Sequence, residues 1–467
     1  MKLPAGTNSL IPISRDSRVF ATKKPSIAHP PAGAVPPFHS PHGLSAADRT
    51  YLECLHRLAL QYFLDNQMSN GLMLDRQRNH GHLRAYGLCS TATTGMGFIA
   101  LALAASAPHH LISRSSAVER IQIGLQTALD RLAHEEGIMP HFVDAVSQAV
   151  HGYDSLSTID SAWLLAGALT AAVLLEDENL RALADKLYTR VNWHYWTAPD
   201  EPNHRELLRH GKGPRGQFLG CSWDRLNGET IFMYVLGAGA PVGRSLSDQA
   251  WKRLQPFVGT VAGTSFCSAD LGLFVFQYGL DLLDLRRWKM PGEVDLWQEA
   301  TMATRANRQF CRDKASQFQT YMFHWGLSAG DGPGSSGDID CYRCYAPSGP
   351  IDGTAHLTAT LASITHDPEA VMENLRRADG FRDSPVRGRY GYSNLNLSPI
   401  WVSQDIVGID AGSVVLALDN FLMADRVRIA FHEVPCVQRG LDRIGFRPIQ
   451  SIHTDPVAVG SASRQAS

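Results

Sequence analysis

Three stretches of the chain are apolar around their whole circumference when they are read as helices. They cover residues 91–107, 157–175 and 227–238. A helix that is apolar on all sides has to be buried on all sides, so other elements must surround it. By contrast, residues 116–135 and 293–314 have the i, i+3, i+4, i+7 spacing of helices with one face on a core and one in water. The pattern predicts an inner ring of helices wrapped by an outer ring, a toroid rather than a bundle with one seam.

The rest of the sequence between residues 45 and 452 is also predicted to be mostly helical. Further helices are expected at residues 46–67, 179–193, 246–258, 352–364, 367–378 and 409–424. The Gly pattern of Thr94-Gly95-Met96-Gly97-Phe98 lies inside a helix and indicates close helix packing rather than phosphate binding. Residues 1–44 are rich in proline and are expected to form a leader or surface arm. Residues 45–452 would form one helical domain and residues 453–467 a flexible tail.

Charge and composition exclude several classes of partner. The formal net charge is −2 and no long run of Lys or Arg occurs, so nucleic acid and anionic membranes are poor partners. No stretch reaches the roughly 18 apolar residues of a membrane span, and no secretory signal is visible. A cytoplasmic protein is expected, unless an export signal precedes this sequence. Cys341 and Cys344 are the only close cysteine pair, and without a second pair no metal or cofactor is expected. The oligomeric state stays open.

Two of the apolar helices each contain an acid near their start, Asp160 in 157–175 and Glu229 in 227–238. A buried carboxylate costs several kcal/mol unless it is paired, so two such acids indicate a shared cleft. Paired carboxyl groups in a cleft are what sugar hydrolysis requires. The alternatives are structural, because Asp160 could cap its helix and Glu229 could simply be favoured by the helix dipole.

Long irregular stretches at 195–225, 315–351 and 383–408 contain many of the aromatic residues and are expected to build the cleft. Trp325, Tyr345 and Trp401 are the candidates for stacking against a sugar, which presents apolar C–H faces to a ring.

Ordered blocks of sequence between about residues 50 and 430 resemble one known family, the glucoamylase-like domain that includes glycoside hydrolase family 144, the endo-β-1,2-glucanases. The blocks are Asn70 to Arg76, Ser90 to Phe98, Met139 to Asp144, Ser157 to Ala162, Leu187 to Trp193, Trp223 to Gly239, Trp325 to Pro333, Arg389 to Tyr392 and Gly408 to Gly412. The resemblance implies an all-α (α/α)6 toroid of six helical hairpins, with the substrate cleft at one end. It also implies hydrolysis of β-1,2-glucan, although related domains transglycosylate the same glucan in cyclic glucan synthases.

The resemblance places the catalytic glutamate of the family at Glu229, the expected general acid, whose apolar helix would keep it protonated. Inversion of configuration is expected. The second carboxyl group is left open between Asp160 and Asp331. For Asp331 a structural role in the tight turn Gly330-Asp331-Gly332-Pro333 is nearly as plausible. Asp338, Asp340 and Asp352 are weaker candidates. A non-catalytic glycan-binding protein on the same fold is the alternative from another class.

Several further residues are expected to contact substrate. They are Asp75, Arg76, His141, Asp144, Asp154, Trp223, Trp325, Tyr345, Asp352, Tyr390 and Trp401. Some of them have a purely structural alternative. Asp75 and Arg76 could form an ordinary loop ion pair, His141 could be a satisfied core histidine, and Tyr390 could simply be packed.

Overall fold

The computed structural model describes residues 44–152, 155–197, 206–334, 341–380 and 385–449. Its helices are α1 (Ala46–Asp65), α2 (Thr91–Ala104), α3 (Arg114–Asp130), α4 (Thr158–Leu174), α5 (Glu178–Thr189), α6 (Gly228–Gly239), α7 (Phe274–Gln277), α8 (Leu296–Asp313), α9 (Leu357–Ala362), α10 (Pro368–Asp379), α11 (Gly408–Leu422), α12 (Arg426–His432) and α13 (Pro435–Ile444). Helices therefore dominate this part of the chain, as the sequence predicts.

Short strands join the helices and pair in small antiparallel sheets. They are β1 (Arg76–Arg78), β2 (Leu88–Ser90), β3 (Phe142–Asp144), β4 (Val150–His151), β5 (Leu156–Ser157), β6 (Gly211–Lys212), β7 (Val258–Val261), β8 (Thr264–Cys267), β9 (Trp288–Lys289), β10 (Ala329–Gly332), β11 (Cys341–Cys344), β12 (Arg387–Gly388), β13 (Gly391–Tyr392), β14 (Leu395–Leu397), β15 (Ile400–Val402), β16 (Asp405–Val407) and β17 (Arg447–Pro448). Two pairings matter for the site, β1 with β16 and β10 with β11.

The helices predicted to be apolar all round are buried. Every residue of α2 is buried, and in α6 every residue except Glu229 is buried. Glycines let these helices touch backbone to backbone, because a Cβ on Gly167 of α4 would lie 1.9 Å from the carbonyl oxygen of Gly95 in α2. The prediction that the glycine pattern at 94–98 serves close packing is confirmed at Gly95.

The buried helices contact one another in a defined order. Helix α2 packs against α4 and α11, α4 against α6, α6 against α7, and α11 against α9. The Gln277 side chain links α7 to α9, since its amide donates to the Ala359 carbonyl at 2.7 Å and to Ser363 Oγ at 2.7 Å. Outside them, α1 packs on α2 and α11, α5 on α4, α13 on α6, α8 on α7, and α10 on α9.

Three differences from the predicted helices have local causes. The helix expected at 246–258 is wrong, since the structure has only a 3-10 turn at Trp251–Arg253 and then strand β7. Pro256 lacks an N–H and cannot continue a helix there. The helix expected at 352–364 shortens to α9. Helices α7, α12 and α13 were not predicted, because segments of four to ten residues are too short to show a clear periodicity.

The predicted arm and tail lie outside the described residues, apart from Leu44. Their boundaries, and the extent of a single domain, stay predictions. Among the helices that the structure describes, none is long and apolar enough to cross a membrane.

Candidate active site

Three buried helices begin with an acid in their first turn. Asp160 is the third residue of α4, Glu229 the second of α6 and Asp410 the third of α11. The caps of two of these helices come from other residues. Ser157 caps α4 and accepts the N–H of Asp160 at 3.4 Å, and Asn227 caps α6. The Glu229 carboxyl group is therefore not needed as a cap.

Glu229 differs from the other residues of its helix. It is the residue of α6 that is not fully buried, so part of its side chain is accessible to solvent. Among the described residues, no hydrogen bond or ion pair holds its carboxyl group. Burial, and next the negative charge of Asp160, raise the pKa of Glu229 to about 8. The group is therefore protonated at neutral pH.

Asp160 lies beside Glu229 in a more enclosed position. It is 6% exposed, its carboxylate accepts the Ser157 hydroxyl, and one of its oxygens is 3.5 Å from Nε2 of His141. The His141 ring stacks on Phe142 with centroids 3.7 Å apart. The structure thus brings the two predicted residues His141 and Asp160 together.

Trp223 reaches the same helix start. Its indole N–H donates to Thr158 Oγ1 at 2.9 Å, and its ring stacks on His210 with centroids 3.9 Å apart. Because Thr158 begins α4, this half-buried ring lies close to Asp160 and can form a wall beside it.

Asp331 belongs to a second group of charges. It is 2% exposed and accepts from Arg76 at 2.9 and 3.4 Å, while Asp75 Oδ2 lies 3.6 Å from Arg76 Nε. Burial raises the pKa of Asp331, and the charge of Arg76 opposes that rise. The tight turn expected at Asp331 is wrong, because the residue lies in strand β10, opposite Tyr342 of β11.

Asp405 extends this ion-pair network and was not predicted. It is 5% exposed and lies 2.7 Å from Arg84, 3.3 Å from Arg78 and 3.7 Å from Arg76. Antiparallel pairing of β1 with β16 brings Arg76 and Arg78 to Asp405, and Arg84 reaches it from the loop after β1. No local pattern indicates such a pairing, since more than 300 residues separate the two strands.

Asp410 is the carboxyl group that the sequence reasoning missed. It is half-buried, and its Oδ1 accepts from the Tyr278 hydroxyl at 3.4 Å. Burial, and next the charge of Asp331, raise the pKa of Asp410 to about 8. The signal that could have found it is the one that found Glu229, an acid at the start of an apolar helix.

These acids form one group, which we call the carboxyl cluster: Asp75, Asp160, Glu229, Asp331 and Asp410. Burial and the charges of Asp410 and Glu229 raise the pKa of the Tyr278 phenol. Tyr278 therefore lies near both of these acids of the cluster. The cluster can donate protons, accept them and bind sugar hydroxyls.

Four predicted aromatic residues lie in the protein interior. Trp325 is 4% exposed, Tyr345 0%, Tyr390 1% and Trp401 8%. A ring has to present an open face to stack on a sugar. Their burial argues against the predicted stacking contacts, and for packing roles.

The polar ends of two of these rings also have structural partners. The Tyr345 hydroxyl donates to Asp352 at 2.8 Å, and the Tyr390 hydroxyl donates to Asp65 at 3.2 Å. The first contact lies within the segment between β11 and α9, and the second ties Tyr390 to the end of α1, as the alternative of simple packing predicts for Tyr390.

The two remaining described acids organise turns. Asp352 accepts from the backbone and hydroxyl of Thr354 and pairs with Arg343 at 3.1 Å. Asp144 accepts from the N–H groups of Val146 and Ser147, which lowers its pKa. These contacts argue against the substrate contacts expected for both acids. Asp154, Asp338 and Asp340 lie outside the described residues.

Two other features do not contribute reactive groups. No cluster of His, Cys, Asp or Glu suited to a metal ion occurs within the described residues. A cavity of about 680 Å³ on the outer surface contains His134, Lys186, Arg190 and Arg244 in its lining but no carboxyl group. It offers no pair of acids for sugar cleavage.

Comparison with known proteins identifies relatives of this chain. Residues 221–435, which include Glu229 and Asp410, match the Glycoamylase family model, described as "Putative glucoamylase". The resemblance to glucoamylase-like domains is confirmed. A curated relative, the exo β-1,2-glucooligosaccharide sophorohydrolase (non-reducing end) of Parabacteroides distasonis, is 22% identical over 396 residues, 76% of this chain and 53% of its own length. The chain thus spans about half the length of that relative.

Solved structures share the fold of this chain. The endo-β-1,2-glucanase of Chitinophaga pinensis, in complex with sophorotriose and glucose, has a TM-score of 0.72 at 19% identity over 86% of this chain and 99% of its own. The β-1,2-glucanase of Parabacteroides distasonis has a TM-score of 0.72 at 20% identity over 85% of this chain and 60% of its own. The helix-rich fold is therefore shared with enzymes named for β-1,2-glucan.

Proposed function

We propose that the protein is a glycoside hydrolase that cleaves β-1,2-glucan, with Glu229 as the general acid. The observation that carries this proposal is the state of Glu229, a half-buried carboxyl group without a partner among the described residues and with a pKa raised to about 8. A group that protonates a glycosidic oxygen at neutral pH needs this property. The substrate follows from the names of the relatives, which act on β-1,2-linked glucans.

Asp410 is the second reactive carboxyl group in this proposal. Glycoside cleavage needs a carboxylate that activates water or attacks the sugar. Asp160 and Asp331 are almost fully enclosed, and Ser157 and Arg76 engage them. Asp410 is half-buried, so it is more open to a water molecule.

Asp160 and Asp331, which the sequence reasoning placed among the catalytic residues, then set the charge around the reactive pair. Asp160 raises the pKa of Glu229, and Asp331 raises that of Asp410. Each reactive acid thus has a buried carboxyl neighbour that favours its protonated form. Only the ionised form of Asp410 would act as a base, so we expect a rate maximum near or above neutral pH.

Substrate hydroxyls would bind to the charged groups around the cluster. Arg76 and His141 are donors at 32% and 26% side-chain exposure, and Asp75 is an acceptor at 16%. Trp223 offers a half-buried ring beside α4. We propose these four as substrate-binding residues, because each contacts or adjoins an acid of the carboxyl cluster.

Three finer features belong to the same proposal. We infer an (α/α)6 toroid, supported by the neighbour order α2, α4, α6, α7, α9 and α11 and by the helices packed outside it. We propose cleavage of internal linkages, as in the endo-acting structural relative, although the curated relative is exo-acting. We also propose inversion of configuration, in which Glu229 protonates the leaving oxygen and Asp410 activates a water molecule on the opposite face of the sugar ring.

The decisive experiment assays wild type and two variants on linear β-1,2-glucan. Wild type should shorten the average chain length early and release several oligosaccharides, and the first products should have the inverted anomeric configuration by NMR. Release of sophorose alone would indicate exo action. Glu229→Gln should lose about 10²–10⁴-fold in kcat, whereas Glu119→Gln, an exposed residue of α3, should match wild type.

Leaving-group chemistry then identifies the role of each acid. A glucan fluoride needs no proton on its leaving group, so Glu229→Gln should recover much of its rate on that substrate. Asp410→Asn should stay slow on the fluoride. Elongated or cyclic products from wild type would overturn hydrolysis in favour of transglycosylation. Binding of glucan without any turnover would indicate a glycan-binding protein.

A further inference from the structure

Tyr278 lies where three buried helices begin or end. It is the residue between α7 and the 3-10 turn Gly279–Asp281, and it is 6% exposed. The next residue is pressed against the start of α6, because a Cβ on Gly279 would lie 1.6 Å from the carbonyl oxygen of Gly228. The backbone at Tyr278 therefore has little freedom to shift.

The Tyr278 ring is also held on its sides. Trp163 of α4 contacts it edge-on with centroids 6.0 Å apart, and Phe274 lies 5.6 Å away. Trp163 in turn packs on Phe232 of α6 at 4.7 Å. A ring fixed by α4, α6 and α7 presents its hydroxyl at a defined place, and that place is 3.4 Å from Oδ1 of Asp410.

We propose that Tyr278 is a positioning residue of the active site, whose hydroxyl donates to Asp410 and holds that carboxyl group in the orientation required to activate water for attack on the sugar. The proposal rests on the proposed function and on the role of Asp410 in it. Asp410 is half-buried, and among the described residues the Tyr278 hydroxyl is the one hydrogen-bond partner of its carboxyl group.

The charges around this contact favour the donor role. Asp410 and Glu229 raise the pKa of the Tyr278 phenol together with burial, so the hydroxyl keeps its proton. The groups that act on Asp410 are Asp331 from β10, and Asp75 and Arg76 from the chain before α2. Tyr342 of β11 lies close enough to act on the phenol as well. Of these groups, the Tyr278 hydroxyl and Arg76 favour the ionised form of Asp410.

The test compares Tyr278→Phe with Tyr188→Phe in the full chain on linear β-1,2-glucan. Tyr188 is a matched control, since it is 1% exposed and its hydroxyl donates to the Leu236 carbonyl at 2.7 Å, in the outer layer. Loss of a hydrogen bond to a charged group should lower kcat of Tyr278→Phe about tenfold to a hundredfold, with KM changed less than threefold. Tyr188→Phe should keep the wild-type kcat.

The pH profile separates positioning from a structural role. Without the Tyr278 hydroxyl the pKa of Asp410 should rise, so the acidic limb of the kcat profile should move to higher pH in Tyr278→Phe and stay in place in Tyr188→Phe. An unchanged limb together with an unchanged kcat would overturn the proposal, and so would full activity of Asp410→Asn. If wild type cleaves no β-1,2-glucan, the proposed function fails instead, and the two failures are distinguishable.

Discussion

Because its pKa is raised, Glu229 should destabilise the folded protein above about pH 5, and Glu229→Gln should remove this destabilisation. In the unfolded chain the carboxyl group ionises near its ordinary pKa of 4.5, and in the folded protein near 8. Between these values the folded protein keeps a proton that the unfolded chain has lost, so the free energy of unfolding falls as the pH rises. Below 4.5 both states are protonated and the cost vanishes. Above 8 the cost is complete.

The size of the effect follows from the two pKa values. Their difference of about 3.5 corresponds to about 5 kcal/mol at 1.36 kcal/mol per pKa unit. Water reaches the half-buried carboxyl group and relieves part of this, so we expect about 2–4 kcal/mol above pH 8. Glutamine has no charge at any pH, so the variant should lack the dependence altogether. The variant is thus expected to lose activity and gain stability, which is common for active-site residues.

Urea unfolding at pH 5 and at pH 8.5, followed by fluorescence and by circular dichroism, measures this difference. Coincident transitions by both probes are needed before a free energy is extracted. Glu229→Gln should exceed wild type by about 2–4 kcal/mol at pH 8.5 and by less than about 1 kcal/mol at pH 5. Glu119→Gln, at an exposed position, should show no such pH-dependent gain. Equal stability of wild type and Glu229→Gln at pH 8.5 would refute the assignment of a desolvated, protonated carboxyl group.

Two further predictions concern the charge next to Glu229 and the packing of α4 against α2. Asp160→Asn should lower the pKa of Glu229, because a negative charge that favours its protonated form is removed. The basic limb of kcat/KM should then move to lower pH, and a limb that stays in place would contradict the pairing. Gly167→Ala puts a Cβ 1.9 Å from the backbone oxygen of Gly95 and should cost about 3 kcal/mol or more in urea unfolding. A Cβ on Gly237 would lie 2.6 Å from the Leu246 side chain and 3.4 Å from Trp193 rather than against backbone, so Gly237→Ala should cost less than Gly167→Ala; equal costs would show that the helices can separate easily.

Local patterns in the sequence predict the buried helices and the acid that we propose as the proton donor. The apolar circumference of residues 227–238 predicts a buried helix, and Glu229 stands out in it as the residue that burial would penalise. An acid near the start of an apolar helix also identifies Asp160 as a candidate. Applied to residues 409–424, the same criterion would have identified Asp410. These features are readable because the helix that buries each acid lies in the same short segment.

Contacts between distant segments account for what could not be predicted. The partner of Asp331 is Arg76, 255 residues away. The sequence Gly330-Asp331-Gly332-Pro333 is typical of a turn, and only the pairing of β10 with β11 shows that it forms a strand. The predicted stacking roles of the aromatic residues could not be judged from the sequence for a related reason. A tryptophan in a loop, such as Trp325, can face a cleft or a core equally well, and only the packing of other helices decides between them.

The way in which the helix starts are capped explains how buried apolar helices can contain carboxyl groups that do not cap their own backbone. The first N–H groups of a helix need acceptors, and an acid in the first turn often supplies one. In α4 and α6 those acceptors are Ser157 and Asn227, one position before each helix. With the N–H groups satisfied there, the Glu229 carboxyl group does not bond the backbone of its own helix. Burial is then the largest cause of its raised pKa, and the cap at Asn227 leaves Glu229 available as a proton donor.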